Sequence, residues 1–381
     1  MKRFRDVIFW LHLTAGLLAG VVIFIMCVTG ALLAFERQTI EYFESDARWV
    51  QEQPGVERLG PAEALAKVIE AKPQAKPSAI AIKNEPGAAW EISLGREGAI
   101  FADPYTGAIT GESHKGVRAA MSTLREWHRW IALPGDQRPI GKAITGASNL
   151  LFLFLAISGI YIWFPRNLVW KAIKPVIWFR AGQRGKARNF NWHNTIGFWT
   201  SLFLIIFTLT ATVISYQWAS NLLYTLTGNE VPKQQGGGAG PQQGQDAAFT
   251  IPENLNGSWI RAEQHGPEWN SVSLRLPVTD SAVFTIDEGI YWNIFGRSTL
   301  TLDPATAEVK KWDPYGERNA AVQLRSWFRF THTGETGGIP GQIVGFIACV
   351  GGALLVWTGF SLAFRRFGNF LKRRTNDEAL S

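Results

Sequence analysis

Histidine and cysteine are both scarce in this 381-residue chain, with six of the first and two of the second. Cys27 and Cys349 stand far apart and form no CxxC or CxxCH spacing, which excludes a cysteine metal cluster and covalently attached haem. Packing is the expected role of both thiols. No glycine-rich dinucleotide or flavin fingerprint occurs, and no nucleotide-binding motif occurs.

The largest absence is of charge. Residues 7–35, 143–165, 189–229 and 336–364 contain no Asp, Glu, Lys or Arg. Each holds ~20 or more mostly apolar residues, enough to cross a hydrocarbon layer of ~30 Å as a helix. Buried helices of soluble proteins seldom run so far uncharged, so four membrane spans are expected, at 7–35, 139–165, 191–218 and 339–364. The first run is too long for the ~7–15 apolar residues of a signal peptide, and no A-x-A site ends it. An uncleaved span is the expectation.

The basic residues set the orientation. Fifteen of them flank the spans on one side: Lys2, Arg3 and Arg5, seven in 166–190, and five in the tail 365–381, against only Asp6, Asp377 and Glu378. The remaining 23 basic residues are outnumbered by 28 acidic ones. The net +7 is therefore a positive-inside pattern with lipid as partner, and no nucleic-acid partner is implied. Both termini are expected on the cytoplasmic side, with large outer segments at 36–122 and 219–322.

The chain is also written twice. Leu124–Trp130 reads LREWHRW and Leu324–Phe330 reads LRSWFRF. The offset of 200 holds for Asp103/Asp303, Thr106/Thr306, Gly141/Gly341, Gly159/Gly359 and Arg166/Arg366. Spans one and three match at an offset of 181: His12/His193, Thr14/Thr195, Gly16/Gly197 and Thr29/Thr210. The second outer segment is longer by 19 residues, much of it the Gly/Gln run at 234–245, a flexible linker by composition. Two halves entering the membrane in the same direction make a parallel repeat. Each outer segment reads as a small α+β unit. The first has helical spacing at 61–71, then strand-like runs at 78–83, 88–94 and 98–111, the last bent at D-P-Y-T-G. The second repeats this at 271–276, 282–287 and 292–312, bent at D-P-A-T, with a weaker helix at 254–264. Residues 123–138 and 323–338 lead from the outer units into spans two and four.

Four of the six histidines fall at the ends of spans. His12 and His193 lie near the inner ends of spans one and three; His128 and His332 precede spans two and four on the outer side. Each pair is divided between the two halves. A polar side chain beside hydrocarbon is costly and points to function by default. A lone interfacial histidine also serves as a hydrogen-bonded aromatic, but two cross-repeat pairs point to ligation. No third histidine or carboxylate accompanies either pair, apart from Asp6 and Glu36 at the ends of span one, so a zinc site lacks its ligands. Two facing imidazoles suit a six-coordinate haem iron, whose porphyrin supplies four nitrogens. Without CxxCH that means two non-covalent b-type haems. Gly16, Gly20 and Gly197 offer room for a flat macrocycle. Arg3, Arg5 and Arg188 inside, and Arg125, Arg129, Arg325 and Arg329 outside, are candidates for its propionates. Phe328 takes the place of His128, and His332 follows four residues later, one helical turn on. An outer pair unequal in tilt or height is expected.

An iron with both axial positions filled carries electrons rather than binding substrate. Phe24, Phe152, Phe154, Trp199, Phe203 and Trp357 are candidates to line the gap between two such haems, although apolar packing explains most of them.

The paired D-P-x-T turns in outer α+β units, the tryptophans beside His12 and His193, and the L-R-x-W-x-R motif resemble the PepSY-associated transmembrane proteins. Within them the chain is similar to bacterial inner-membrane ferric-siderophore reductases. The resemblance covers nearly the whole chain. It implies two PepSY-like periplasmic domains on a four-helix membrane bundle, with His12 and His193 as axial ligands of the inner haem and His128 and His332 of the outer one. It further implies electron entry from the cytoplasmic side or from quinol, and reduction of a ferric siderophore, of the hydroxamate or ferrioxamine kind, in the periplasm. Ala307 stands where the second turn would carry glycine, which weakens the match of the second outer unit.

A substrate dock is then expected among Trp127, Trp130, Trp259, Trp269, Trp292 and Trp312, foremost Trp130 and Trp292, although interfacial belts also collect tryptophan. His114 and His265 sit in polar turns and read as solvated loop residues. Three other functions remain: a non-enzymatic haem-binding sensor or assembly protein, a quinol-linked cytochrome of the b561 kind, and a permease requiring partners.

Overall fold

The computed structural model describes residues 2–165, 169–232, 249–266, 268–289 and 296–380. The Gly/Gln run, Arg166 and Trp292 lie outside the described residues. The helices are α1 (Lys2–Leu33), α2 (Glu36–Phe43), α3 (Ser45–Arg48), α4 (Pro61–Ala71), α5 (Lys115–Trp130) and α6 (Arg138–Trp163). They continue as α7 (Trp170–Ile177), α8 (Gly185–Ser215), α9 (Gln217–Leu226), α10 (Leu255–His265), α11 (Ala320–His332) and α12 (Gly338–Leu380). The strands are β1 (Ala79–Lys83), β2 (Trp90–Ser93), β3 (Ala99–Ala102) and β4 (Ile109–Glu112), then β5 (Ser271–Arg275), β6 (Ala282–Asp287), β7 (Arg297–Leu302) and β8 (Val309–Asp313). The chain divides into two compact units.

The first unit comprises Met1–Phe35, Met121–Leu223 and Arg325–Ser381. Its core is α1, α6, α8 and α12, whose segments Arg3–Leu33, Gly135–Trp163, Gly185–Ser215 and Gly338–Asn369 are long and apolar enough to span a membrane. The protein is a multi-pass membrane protein. Each helix packs on the next in chain order and α12 closes back onto α1, which gives an up-down-up-down bundle with α1 and α8 on one diagonal.

Apolar residues alone hold such helices weakly in lipid, so small residues and polar ties matter. Ala19, Ile23 and Cys27 of α1 pack against Phe152 and Leu155 of α6 and Ala353 and Val356 of α12. Asn149 of α6 donates to the Thr208 carbonyl and the Thr212 hydroxyl of α8, both at 3.0 Å. Asn189 of α8 donates to Ser361 of α12 at 2.7 Å, and Gln342 of α12 to the Ala34 carbonyl at 2.7 Å. By the two offsets, Cys349 and Cys27 occupy the positions of Asn149 and Thr208. A thiol pair thus stands at α12 and α1 where α6 and α8 carry a hydrogen-bonded pair.

The second unit comprises Glu36–Ala120 and Tyr224–Leu324. The sequence suggests two separate α+β units of three runs each. Instead the bent third run of each is a hairpin, and β1 pairs antiparallel with β5, so that one open sheet runs β4-β3-β2-β1-β5-β6-β7-β8. Alternation drives this: Ile80 and Ile82, Val272 and Leu274, Phe284 and Ile286, and Leu300 and Leu302 all point to one buried face. Helices α4 and α10 cover that face with residues at i, i+3, i+4 and i+7: Pro61, Ala64, Leu65 and Val68 on one, Leu255, Ser258, Trp259 and Ala262 on the other. Asn256 binds the two helices together, accepting from the Ala62 N–H at 3.0 Å and donating to Glu63 at 2.9 Å. Strand β3 is buried along its whole length, because Ala47 and Ala89 cover Phe101 on the other face.

The two D-P-x-T turns fold alike. Asp103 accepts from the N–H groups of Tyr105 and Thr106 at 2.7 and 3.2 Å, Asp303 from those of Ala305 and Thr306 at 3.0 and 3.2 Å. Gly107 has φ +72°, and Ala307 takes the same left-handed region at +58°. The missing glycine leaves the turn intact at a strain of about 1 kcal/mol.

Candidate cofactor site

All four span-end histidines belong to the first unit, and all four imidazoles are half-buried. Helix position decides where each reaches. His12 on α1 points to α6, where its Nδ1 meets Ser158 Oγ at 2.8 Å. His193 on α8 points to α12, where its Nδ1 meets Thr358 Oγ1 at 2.9 Å. The residue after each hydroxyl is a glycine. A Cβ on Gly159 would lie 3.4 Å from His12 Cε1, and one on Gly359 would lie 3.4 Å from His193 Cε1. The two inner histidines are thus held by the same pair of groups, 200 residues apart.

The outer histidines are held by α1 and α8. His128, in the last turn of α5, places Nδ1 3.0 Å from Thr29 Oγ1. His332, the last residue of α11, places Nδ1 3.0 Å from the Phe207 carbonyl and 3.5 Å from Thr210 Oγ1. Thr29 and Thr210 are counterparts at the offset of 181. The expected difference in height is therefore not seen at these anchors. The shift of one turn is taken up in the connections: nine residues separate His128 from the start of α6, but five separate His332 from the start of α12. Ile131 and Ala132 turn left-handed just after α5, whereas Gly334 does so after α11. The two outer imidazoles face each other with ring centroids 6.2 Å apart and planes at 52°.

The direction of these bonds fixes the tautomer. Thr29, Thr210 and Thr358 donate their hydroxyl protons to carbonyls of their own helices, Ile25 at 2.7 Å, Ile206 at 2.9 Å and Leu354 at 2.7 Å. Ser158 does so to Leu155 at 3.4 Å. With the hydroxyl proton committed, each oxygen has only lone pairs to offer, and the imidazole Nδ1–H must donate. Nε2 is then the unprotonated nitrogen, the form that ligates a metal. No Nε2 has a hydrogen-bond partner among the described residues, and none is wholly sealed by protein atoms.

This donor set fits a bis-imidazole haem. Two imidazole nitrogens at about 2 Å on opposite sides of one metal put the ring centres about 6 Å apart, as in the outer pair. Among the described residues no cluster of three His, Cys, Asp or Glu exists that would complete the shell of a bare ion. His12, His193, His128 and His332 would hold the iron.

The other expected residues divide. Arg129 and Arg329 are exposed and have no ion-pair partner among the described residues; their guanidiniums lie over Trp130 at 4.8 Å and Phe330 at 5.8 Å. Both remain available to a carboxylate. Arg5 instead caps the end of α6 by donating to the Ile162 carbonyl. Gly16, Gly20 and Gly197 do not line open space: Cβ atoms there would meet Leu155, Phe360 and Leu355. Of the aromatics expected between the haems, Phe152 packs in the bundle core, whereas Phe24, Trp199, Phe203 and Trp357 are exposed.

The aromatic platform is not assembled. Trp259 is core, with ring contacts to Trp90 at 5.0 Å and Phe284 at 5.6 Å. Trp269 and Trp312 pack against the same core. Trp127 is exposed, and Trp130 has Arg138 over its ring at 5.1 Å as well as Arg129. His114 is exposed at the start of α5, where its Nδ1 accepts from the Val117 N–H at 3.2 Å. His265 packs edge-on to Trp312 at 4.6 Å.

Sequence reading missed Ser158, Thr358 and the Phe207 carbonyl. It found Thr29, Thr210, Gly159 and Gly359 as repeated residues without giving them a task. A polar or glycine position repeated inside an apolar span was the available signal.

No curated protein matches the chain. Residues 9–366 match the family described as the PepSY-associated TM region. With that match over nearly its whole length, and four apolar helices to span the bilayer, the protein belongs to the PepSY-associated TM family.

Proposed function

We propose that this protein is a di-haem b oxidoreductase of a bacterial inner membrane that carries electrons from the cytoplasmic side to the periplasm and reduces ferric siderophore there. In this reading both termini are cytoplasmic, the halves form a parallel two-fold repeat, and the sheet unit is a fused pair of PepSY-like domains in the periplasm. The observation that carries the proposal is the facing of His128 and His332 at 6.2 Å, with both Nδ1 atoms tied back to the bundle.

Haem supplies a one-electron couple between iron(III) and iron(II). The chain's own part is to hold the imidazoles and keep Nε2 unprotonated. Arg129 and Arg329 are placed to pair with anionic groups at the outer end. One electron passed to a ferric chelate yields iron(II), which a chelator built for iron(III) holds poorly. The ferric chelate is the substrate, and the electron donor is a cytoplasmic-side reductant or quinol.

Haem content per chain, measured as the pyridine haemochromogen on protein purified in detergent, is the test. Two b-type haems with low-spin six-coordinate spectra are expected, together with faster reoxidation of the dithionite-reduced protein by ferric hydroxamate. Haem without such reoxidation would leave a haem-binding sensor, or with rapid quinol reduction a b561-like cytochrome. A chain without haem would end the proposal.

A further inference from the structure

The connection between the second and third spans carries a surface that the histidines do not use. Helix α7 is fastened to α8 by three α8 side chains one turn apart. Asn191 donates to the carbonyls of Pro175 at 3.0 Å and Trp178 at 3.1 Å and accepts from the Arg180 N–H at 3.0 Å. Thr195 donates to the Val176 carbonyl at 3.1 Å, and Trp199 Nε1 to the Ile177 carbonyl at 2.9 Å. These bonds satisfy the carbonyls at the end of α7, which a free helix would leave to water. They also settle which side of the segment faces the bundle.

What is left outward is both aromatic and basic. Trp170, Trp178 and Phe179 are 65%, 61% and 54% exposed. Lys171, Lys174 and Arg180 are exposed and have no ion pair among the described residues. No Asp or Glu occurs anywhere in 166–188, against seven Lys or Arg. The same end of the bundle carries Arg3, Arg365 and Arg366, since α1 begins and α12 leaves the span there, and Arg365 reaches the start of α8 beside Gly185.

Large exposed aromatic rings beside unpaired cations are the composition of a segment lying in the headgroup layer. A bilayer around the four spans must bring headgroups to this end of the bundle, whereas a protein partner would have to displace them. We infer that the α7 surface is a binding site for anionic phospholipid, with Trp170, Trp178 and Phe179 seated between headgroups and Lys171, Lys174 and Arg180 pairing with their phosphates. It rests on the membrane reading and not on haem.

The full-length chain, in neutral detergent, is mixed with phosphatidylglycerol and phosphatidylcholine at equal mole fraction, and retained lipid is counted by native mass spectrometry. Phosphatidylglycerol should be retained over phosphatidylcholine by about fivefold or more. The preference should collapse towards one in the triple variant Lys171→Glu, Lys174→Glu, Arg180→Glu, and fall partly in the corresponding Gln variant, which guards against misfolding by charge reversal. Circular dichroism should show unchanged helix content in both. Equal retention of the two lipids by the wild type would overturn the inference. So would an undiminished preference in both variants, which would return this surface to other partners, an acidic protein among them.

Discussion

The imidazoles of His128 and His332 face each other across 6.2 Å although the two residues sit one helical turn apart in otherwise matching segments. Each is pulled to its place by the same level of a neighbouring span, at Thr29 on α1 and at Thr210 with the Phe207 carbonyl on α8. The local phase of a helix thus matters less here than the anchor its side chain finds.

If the four imidazoles are the axial ligands, His12→Ala or His193→Ala removes one haem of two and stops electron entry. His128→Ala or His332→Ala removes the other and leaves the inner one reducible. Haem equivalents per chain decide it; two full equivalents in any of these variants would refute the assignment.

Ser158→Ala and Thr358→Val delete the acceptors that hold Nδ1–H of the inner histidines. Loss of such an outer partner typically lowers affinity about 10–100-fold. Inner-haem retention should drop accordingly and its reduction midpoint should move, while Ser158→Thr restores both. An unmoved midpoint in Ser158→Ala would mean that the hydroxyl does not act on the ligand.

Gly159 and Gly359 test packing instead. A methyl at either position would be in ordinary contact with its imidazole, so Gly→Ala should be tolerated. Gly159→Leu has no room and should displace His12 from its hydroxyl, with loss of one haem and an intact helical spectrum. Full haem in the leucine variant would show that His12 is not confined there.

Glu44 in the sheet unit has a fully buried side chain. Burial pushes its carboxyl up, but the donors on Arg118, on Arg48 and on the His114 N–H outweigh this and hold it below the ordinary value. A depressed carboxyl contributes stability that is complete above its unfolded value of about 4.3 and is lost as pH falls through the folded one. Below about pH 4 the unit should therefore weaken. Glu44→Gln should cost about 1–3 kcal/mol at neutral pH and flatten that acid limb. Denaturant melts of the two proteins at pH 3.5 and 7 measure both effects; parallel pH slopes would contradict the account.

Ala307→Gly relieves a left-handed alanine and should stabilise the β7–β8 turn by about 0.5 kcal/mol at most after the extra freedom of the unfolded glycine is deducted. Gly107→Ala should do the reverse, and more strongly, since a Cβ there also meets Lys67 at 2.8 Å. Unchanged melting of both variants would remove the strain argument.

The sequence by itself determined the elements. Uncharged runs of about 20 residues or more can be little else than spans, and helix α4 matches its apolar spacing and the proline at its first position. Alternation marked the strands because side chains of a strand alternate faces. It also determined that histidines stand at both ends of the spans: His12 and His193 repeat at the offset of 181, and His332 follows one turn after the counterpart of His128. Only the tertiary structure decided what each histidine touches: Ser158 and Thr358 are more than 140 residues from their imidazoles, and no local period encodes such a contact. It decided that β1 meets β5, since two edge strands of like pattern could equally have stayed apart. It decided as well that Trp259 belongs to the core, because a tryptophan's place depends on which side of its helix the sheet covers. Periodicity is a property of neighbours in the chain, and these contacts are made by neighbours in space.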